Sequence, residues 1–98
     1  WMSETYLQVV NKAIACIEDV YKNLPKGYNL IVCSDHGGHD RMHGHDIPED
    51  MTIPIIFCGP RFKKNTSLSG VSIKDIAPTI AKLLDIPFAR EWEGIPRA

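Results

Sequence analysis

Four consecutive apolar residues, Leu30-Ile31-Val32-Cys33, lead directly into Ser34-Asp35-His36-Gly37-Gly38-His39-Asp40-Arg41-Met42-His43-Gly44-His45-Asp46. No other feature constrains the fold as strongly. An apolar run without alternation predicts a strand over Tyr28 to Ser34 that is buried on both faces, and hence central and parallel. Polar groups at the carboxyl end of such a strand lie where open α/β sheets place ligand sites. The run that follows contains all 4 histidines of the chain. A carboxylate and an imidazole side by side, with more imidazoles a short loop away, suit a divalent cation such as zinc, whose oxygen and nitrogen ligands converge at about 2.0–2.2 Å. Gly37 and Gly38 permit close approach of backbone to a ligand. A merely solvated histidine-rich loop is the plain alternative, and ligand type and placement weigh against it.

The remaining segments supply a scaffold. Ser3 is a suitable N-cap, and Tyr6, Val9, Val10, Ala13, Ile14, Ile17, Val20, Tyr21 and Leu24 form one helical stripe that Pro25 and Gly27 terminate. After the long loop from Asp35 to Asp50, a second strand is expected over Thr52 to Cys58, with Pro54 near its start. Arg61 to Gly70 reads as a basic surface loop, and Val71-Ser72-Ile73 as a short strand. Asp75 is then expected to cap a helix from Ile76 to Leu84 that tolerates Pro78 in its first turn. The tail from Phe88 to Ala98 should pack its aromatics back on the body.

A chain of 98 residues is one domain at most. Its net charge of -1 creates no field favouring a nucleic-acid polymer or an anionic membrane. No apolar run approaches the roughly 20 residues of a membrane span. Cys16, Cys33 and Cys58 are odd in number, widely spaced and set among apolar residues. They read as buried thiols, which favours a reducing, cytoplasmic compartment.

Taken in order, Ser34-Asp35-His36-Gly37-Gly38, His43-Gly44, Pro48-Glu49-Asp50-Met51-Thr52-Ile53-Pro54-Ile55-Ile56, Gly59-Pro60 and Asp75-Ile76-Ala77-Pro78-Thr79-Ile80 resemble the C-terminal part of the alkaline phosphatase superfamily. The nearest branch is the type I phosphodiesterase/nucleotide pyrophosphatase and sulfatase-like hydrolases. The resemblance implies an α/β fold, residues 1–98 forming a single C-terminal segment of an alkaline-phosphatase-like α/β/α sandwich with central strands and covering helices. It implies two divalent ions, Zn2+ with Mn2+ as the alternative, serving hydrolysis of a small-molecule phosphoester. Asp35 and His36 match the Asp-His pair that binds one ion, and His43 matches the later His-Gly ligand of the other. His39 and His45 have no family counterpart and are expected beside the ligands or in solvent, His45 being the alternative to His43. The family's nucleophile and a further Asp-x-x-Gly-His-type segment lie upstream of the matched part, so no catalytic nucleophile is expected in this chain. Its metal sites are expected to be incomplete, the chain inactive alone, and its sheet edge open to self-association. Sulfatase or phosphoglycerate-mutase-like chemistry on the same framework, and a stand-alone metal-binding or interaction module, are the alternatives.

Overall fold

The computed structural model describes residues 1–98. Helix α1 spans Glu4–Lys22 and begins as its sequence dictates, with the Ser3 hydroxyl accepting from the Tyr6 N–H at 3.2 Å. Glu4 in the first turn and Lys22 in the last complement the helix dipole. Strand β1, Leu30–Cys33, pairs with β2, Ile55–Cys58. Their register sets Leu30 opposite Cys58 and Cys33 opposite Ile55. Pro54 immediately precedes β2, where its missing N–H costs no ladder bond. Between the strands, α2 is a single turn, Pro48–Met51. A 3-10 turn over Ile73–Asp75 leads into α3, Ile76–Leu83.

Mixed helix with a small sheet is the composition of an alkaline-phosphatase-like α/β fold, and several details correct the sequence reading. The two strands are antiparallel, not parallel. Continuous apolarity reports burial tendency but does not choose a partner's direction, and here the chain returns through a loop that reverses it. Residues 71–72 form no strand; Ser72 caps the 3-10 turn instead. Asp75 makes no side-chain cap to α3, because its carboxylate closes the capping box with Ser72. Cys16 and Cys33 are exposed and Cys58 half-buried. Trp92 and Phe88 stay 43% and 50% exposed, so the tail does not cover its aromatics.

The exposed cysteines and tail aromatics share a cause. Only Pro78 and Ala81, neighbours on α3, are both apolar and fully buried, and α1 buries no residue. The chain exposes 7924 Å², against about 5,600 Å² for a compact protein of its mass. Its radius of gyration is 15.4 Å, where about 12.6 Å describes a compact domain of this length. The apolar stripe of α1 is left largely bare, and the strand pair is only half-covered, Phe57 of β2 stacking on Phe62.

Three of the 5 buried residues are polar. Asp50, Asp75 and Thr79 are buried at 5%, 2% and 0% exposure. Asp75 and Thr79 tie residues 94–97 to α3, and Asp50 ties the histidine-rich loop to α2. The fold therefore holds its loops through buried hydrogen bonds rather than through an apolar core.

Candidate metal centre

The site is built on the exit of β1. Ser34 turns the chain by donating its hydroxyl to the His36 carbonyl at 2.8 Å. The His36 ring meets its neighbour's carbonyl, Nδ1 lying 2.5 Å from Gly37 O. A carbonyl can only accept, so Nδ1 carries the proton and Nε2 keeps a free lone pair, as a metal-ligating imidazole does. Asp35 Oδ1 lies 3.9 Å from that Nε2, and its side chain is 88% exposed. The His43 ring stacks on the His36 ring, with centroids 4.1 Å apart and planes at 24°. The three residues singled out from the sequence, Asp35, His36 and His43, thus lie on one corner of the molecule. One carboxylate and two imidazoles are donor types that a borderline divalent ion takes, but the stacked His36 and His43 rings, with their in-plane lone pairs, do not aim at one point. Two ligands of a tetrahedral ion stand about 3.4 Å apart when the bonds are about 2.1 Å. Asp35 and His36 need close by only a few tenths of an ångström.

His39 and His45 go elsewhere. They converge on Asp50, whose side chain is wholly shielded from solvent. His39 Nδ1 lies 2.7 Å from Asp50 Oδ1, while the His45 backbone N–H donates to Oδ2 at 2.7 Å and its Nδ1 lies 3.3 Å from the same oxygen. Donor atoms of the three residues all fall within 4.8 Å of one another. The two rings meet edge to face at 5.1 Å. Burial alone would raise the Asp50 pKa, but the bonds from His39 and His45 outweigh it and hold the carboxyl below its ordinary range. The bond to Asp50 lifts His39 above the ordinary imidazole value against burial, with Asp40 and Glu49 adding to the effect.

The backbone completes the arrangement. Gly37 N–H donates to Asp50 O at 2.9 Å, and Gly38 N–H to Glu49 O at 2.8 Å. A side chain at Gly37 would collide with the carbonyl oxygens of Glu49, Asp50 and Thr52, so only glycine admits α2 here. His39 and Met42 bond each other in both directions, closing a tight turn at Asp40, whose φ of 48° is left-handed. Asp50 was missed as a site residue in the sequence. The available signal was an acid in the first turn of a short Pro-initiated helix, eleven residues after one imidazole and five after another.

No helix is long and apolar enough to cross a membrane. The chain is 27% identical over 100 residues to 2,3-bisphosphoglycerate-independent phosphoglycerate mutases of Escherichia coli O139:H28 (strain E24377A / ETEC) and Shigella flexneri. It is 28% identical to that of Salmonella paratyphi B (strain ATCC BAA-1250 / SPB7). Each match takes in 95% of this chain and 19% of the relative, so the chain spans about a fifth of the length of these proteins. No solved structure matches it. The model of the Metalloenzyme superfamily, the alkaline-phosphatase-like enzymes, matches residues 2–87, and the chain belongs to that family.

Proposed function

We propose that Asp35, His36 and His43 hold divalent ions in an enzyme that transfers the phosphoryl group of a small phosphoester, most simply to water as a phosphodiesterase, nucleotide pyrophosphatase or phosphatase. The observation that carries this reading is the proximity of the three side chains, Asp35 Oδ1 at 3.9 Å from His36 Nε2 and the His43 ring stacked on that of His36 at 4.1 Å. Superfamily membership supports metal-dependent phosphoryl transfer; the hydrolytic form rests on the ordered motifs from Ser34 to Ile80. When bound, a pair of divalent ions supplies Lewis-acid stabilisation of phosphoryl oxygens and lowers the pKa of an attacking hydroxyl or water. The residues here prepare for that. His36 keeps Nε2 unprotonated by committing Nδ1–H to Gly37 O, and the exposed Asp35 carboxylate offsets cationic charge from the same side. Zn2+ fits the imidazoles, and Mn2+ is the alternative through the carboxylate. Three donors shared between two ions leave each with fewer than the three protein ligands usual in a catalytic site, so these residues by themselves should show no turnover.

Calorimetric titration of Zn2+ and Mn2+ tests the ligands. His36→Ala and His43→Ala should each weaken Zn2+ binding at least about tenfold, within the range found when a ligand set is disturbed. Affinity indifferent to both substitutions overturns the assignment. EDTA-sensitive hydrolysis of p-nitrophenyl phosphate by the 98-residue chain overturns its expected inactivity.

The similarity to phosphoglycerate mutases favours a second reading, a mutase of that type built on the same donors. In the protein that carries these residues, release of inorganic phosphate from a phosphoester supports the hydrolase. Isomerisation of phosphoglycerate without net release supports the mutase.

A further inference from the structure

We propose that Asp50 is a positioning residue that holds the two candidate ligand segments, Asp35-His36 and His43, in register with one another. The inference deepens the reading above and rests on its assignment of those ligands.

Asp50 reaches both segments by separate routes. Its main chain holds the first: Asp50 O accepts from Gly37 N–H at 2.9 Å, and neighbouring Glu49 O accepts from Gly38 N–H at 2.8 Å, immediately after His36. Its side chain holds the second: Oδ1 takes His39 and Oδ2 takes the His45 N–H, each at 2.7 Å. His39 and His45 bracket His43 in the chain, so fixing both ends leaves the His43 ring little freedom except against His36. The loop's own bonds, Ser34 to His36 O and the reciprocal pair between His39 and Met42, are local to one segment or the other. His36 and His43 make no bond to each other beyond their stacked rings, and Asp35 is exposed.

The same geometry explains why a carboxylate occupies a fully shielded position. Burying an ionised group is costly unless its bonding capacity is met, and here a backbone N–H and two imidazoles meet it. A leucine of similar size would fill the space without tying down either histidine. The cluster His39, His45 and Asp50 is not itself best read as an ion site. Both carboxylate oxygens are already engaged, and one of the partners is a backbone N–H with no lone pair to offer.

The test compares Asp50→Leu and Asp50→Asn with the wild type in the full 98-residue chain. Nuclear Overhauser contacts between the His36 and His43 rings report register without any metal, and Zn2+ alone is the binding probe. Asp50→Leu should lose the ring contacts and weaken Zn2+ binding by about 10–100-fold, the range typical of groups that orient ligands. Asp50→Asn can still accept from the His45 N–H and bond His39, so it should retain the contacts and remain within about tenfold of wild-type affinity. Amide signals of α3 and of Arg97 should be unchanged in both, which separates positioning from loss of fold. Should the leucine variant disturb α3, His39→Asn replaces it and should weaken Zn2+ binding several-fold.

Ring contacts that persist in Asp50→Leu, or that are absent from the wild type, overturn the proposal. So does Zn2+ perturbing His39 and His45 ahead of His36 and His43. If the ring contacts follow Asp50 as described but Zn2+ leaves His36 and His43 unperturbed, the positioning stands and the ligand assignment fails.

Discussion

Asp50 and Asp75 are the two buried carboxylates of this chain, and the difference lies in what holds them. Asp75 accepts from the Ser72 N–H at 3.0 Å, the Ile95 N–H at 2.9 Å and Arg97 Nε at 2.7 Å. The guanidinium goes on to Gly70 O, while Arg97 N–H donates to Thr79 Oγ1, which itself donates to Asp75 O. Every charged partner there is permanent, because arginine does not deprotonate. Asp50 is held instead by two imidazoles and one backbone N–H. One physical device, a satisfied buried carboxylate that closes a loop, is thus made once from fixed partners and once from partners that can exchange protons or bind metal. The fixed version holds the C-terminal segment on α3. The adjustable version stands beside the candidate metal centre.

Breaking the fixed hub should have the largest effect. Asp75→Ala leaves a mostly buried guanidinium without its counter-charge, a change that costs about 3 kcal/mol. The Arg97 amide, whose own acceptor is Thr79, should lose about 100-fold in hydrogen-exchange protection. Protection of the Gly38 amide, in the other hub, should not change. Equal loss at both would show that the two regions are one cooperative unit, and the comparison would fail.

Gly37→Ala strikes the adjustable hub through the backbone instead of the charge. The added methyl meets the carbonyls of Glu49, Asp50 and Thr52, so α2 must retreat from the loop. Overpacking of this kind costs about 2 kcal/mol. Zn2+ affinity should fall with it while Arg97 keeps its protection. Unaltered Zn2+ binding would show that docking of α2 on Gly37 does not serve the candidate ligands.

Local chemistry made much of this legible in the sequence. Ser3 and the apolar spacing from Tyr6 to Tyr21 gave α1, Pro54 marked the start of β2, and Ile76 to Leu84 gave α3 to within one residue. Asp35, His36 and His43 could be named because their types and order are informative before folding. Asp50 could not, since its role exists only once residues 37, 39 and 45 return to it. Asp75 was legible as a polar residue at the start of α3, yet it does not cap that helix, and its charged partner lies 22 residues further on, at Arg97. The direction of strand pairing and the bare faces of α1 were hidden for a related reason. An apolar pattern states which side wants cover but does not name what covers it.

Acidity offers the smallest and most discriminating test of the two hubs. The Asp75 carboxyl is pushed up by burial but held lower overall by the Ile95 and Ser72 N–H groups and Arg97, so its folded pKa lies below the ordinary one. Asp50 is lowered as well, despite burial. A depressed carboxyl contributes stability above its unfolded pKa of about 3.9 and loses it as the pH falls through the folded value. Both hubs should therefore loosen on that acid side. Only one has an alkaline side. His39 is raised chiefly by its bond to Asp50, with Asp40 and Glu49 also facing it, so its contribution is complete below about 6.5 and is lost as the pH rises through a folded value above that. Between about pH 6 and pH 8, protection of the His45 amide, corrected for intrinsic exchange, should fall several-fold while that of Arg97 holds steady. The decline should stop short of complete loss, since a neutral His39 still donates from Nδ1 and the His45 N–H does not titrate. A flat profile at His45, or a parallel decline at Arg97, would remove proton exchange as the property that separates the two carboxylates.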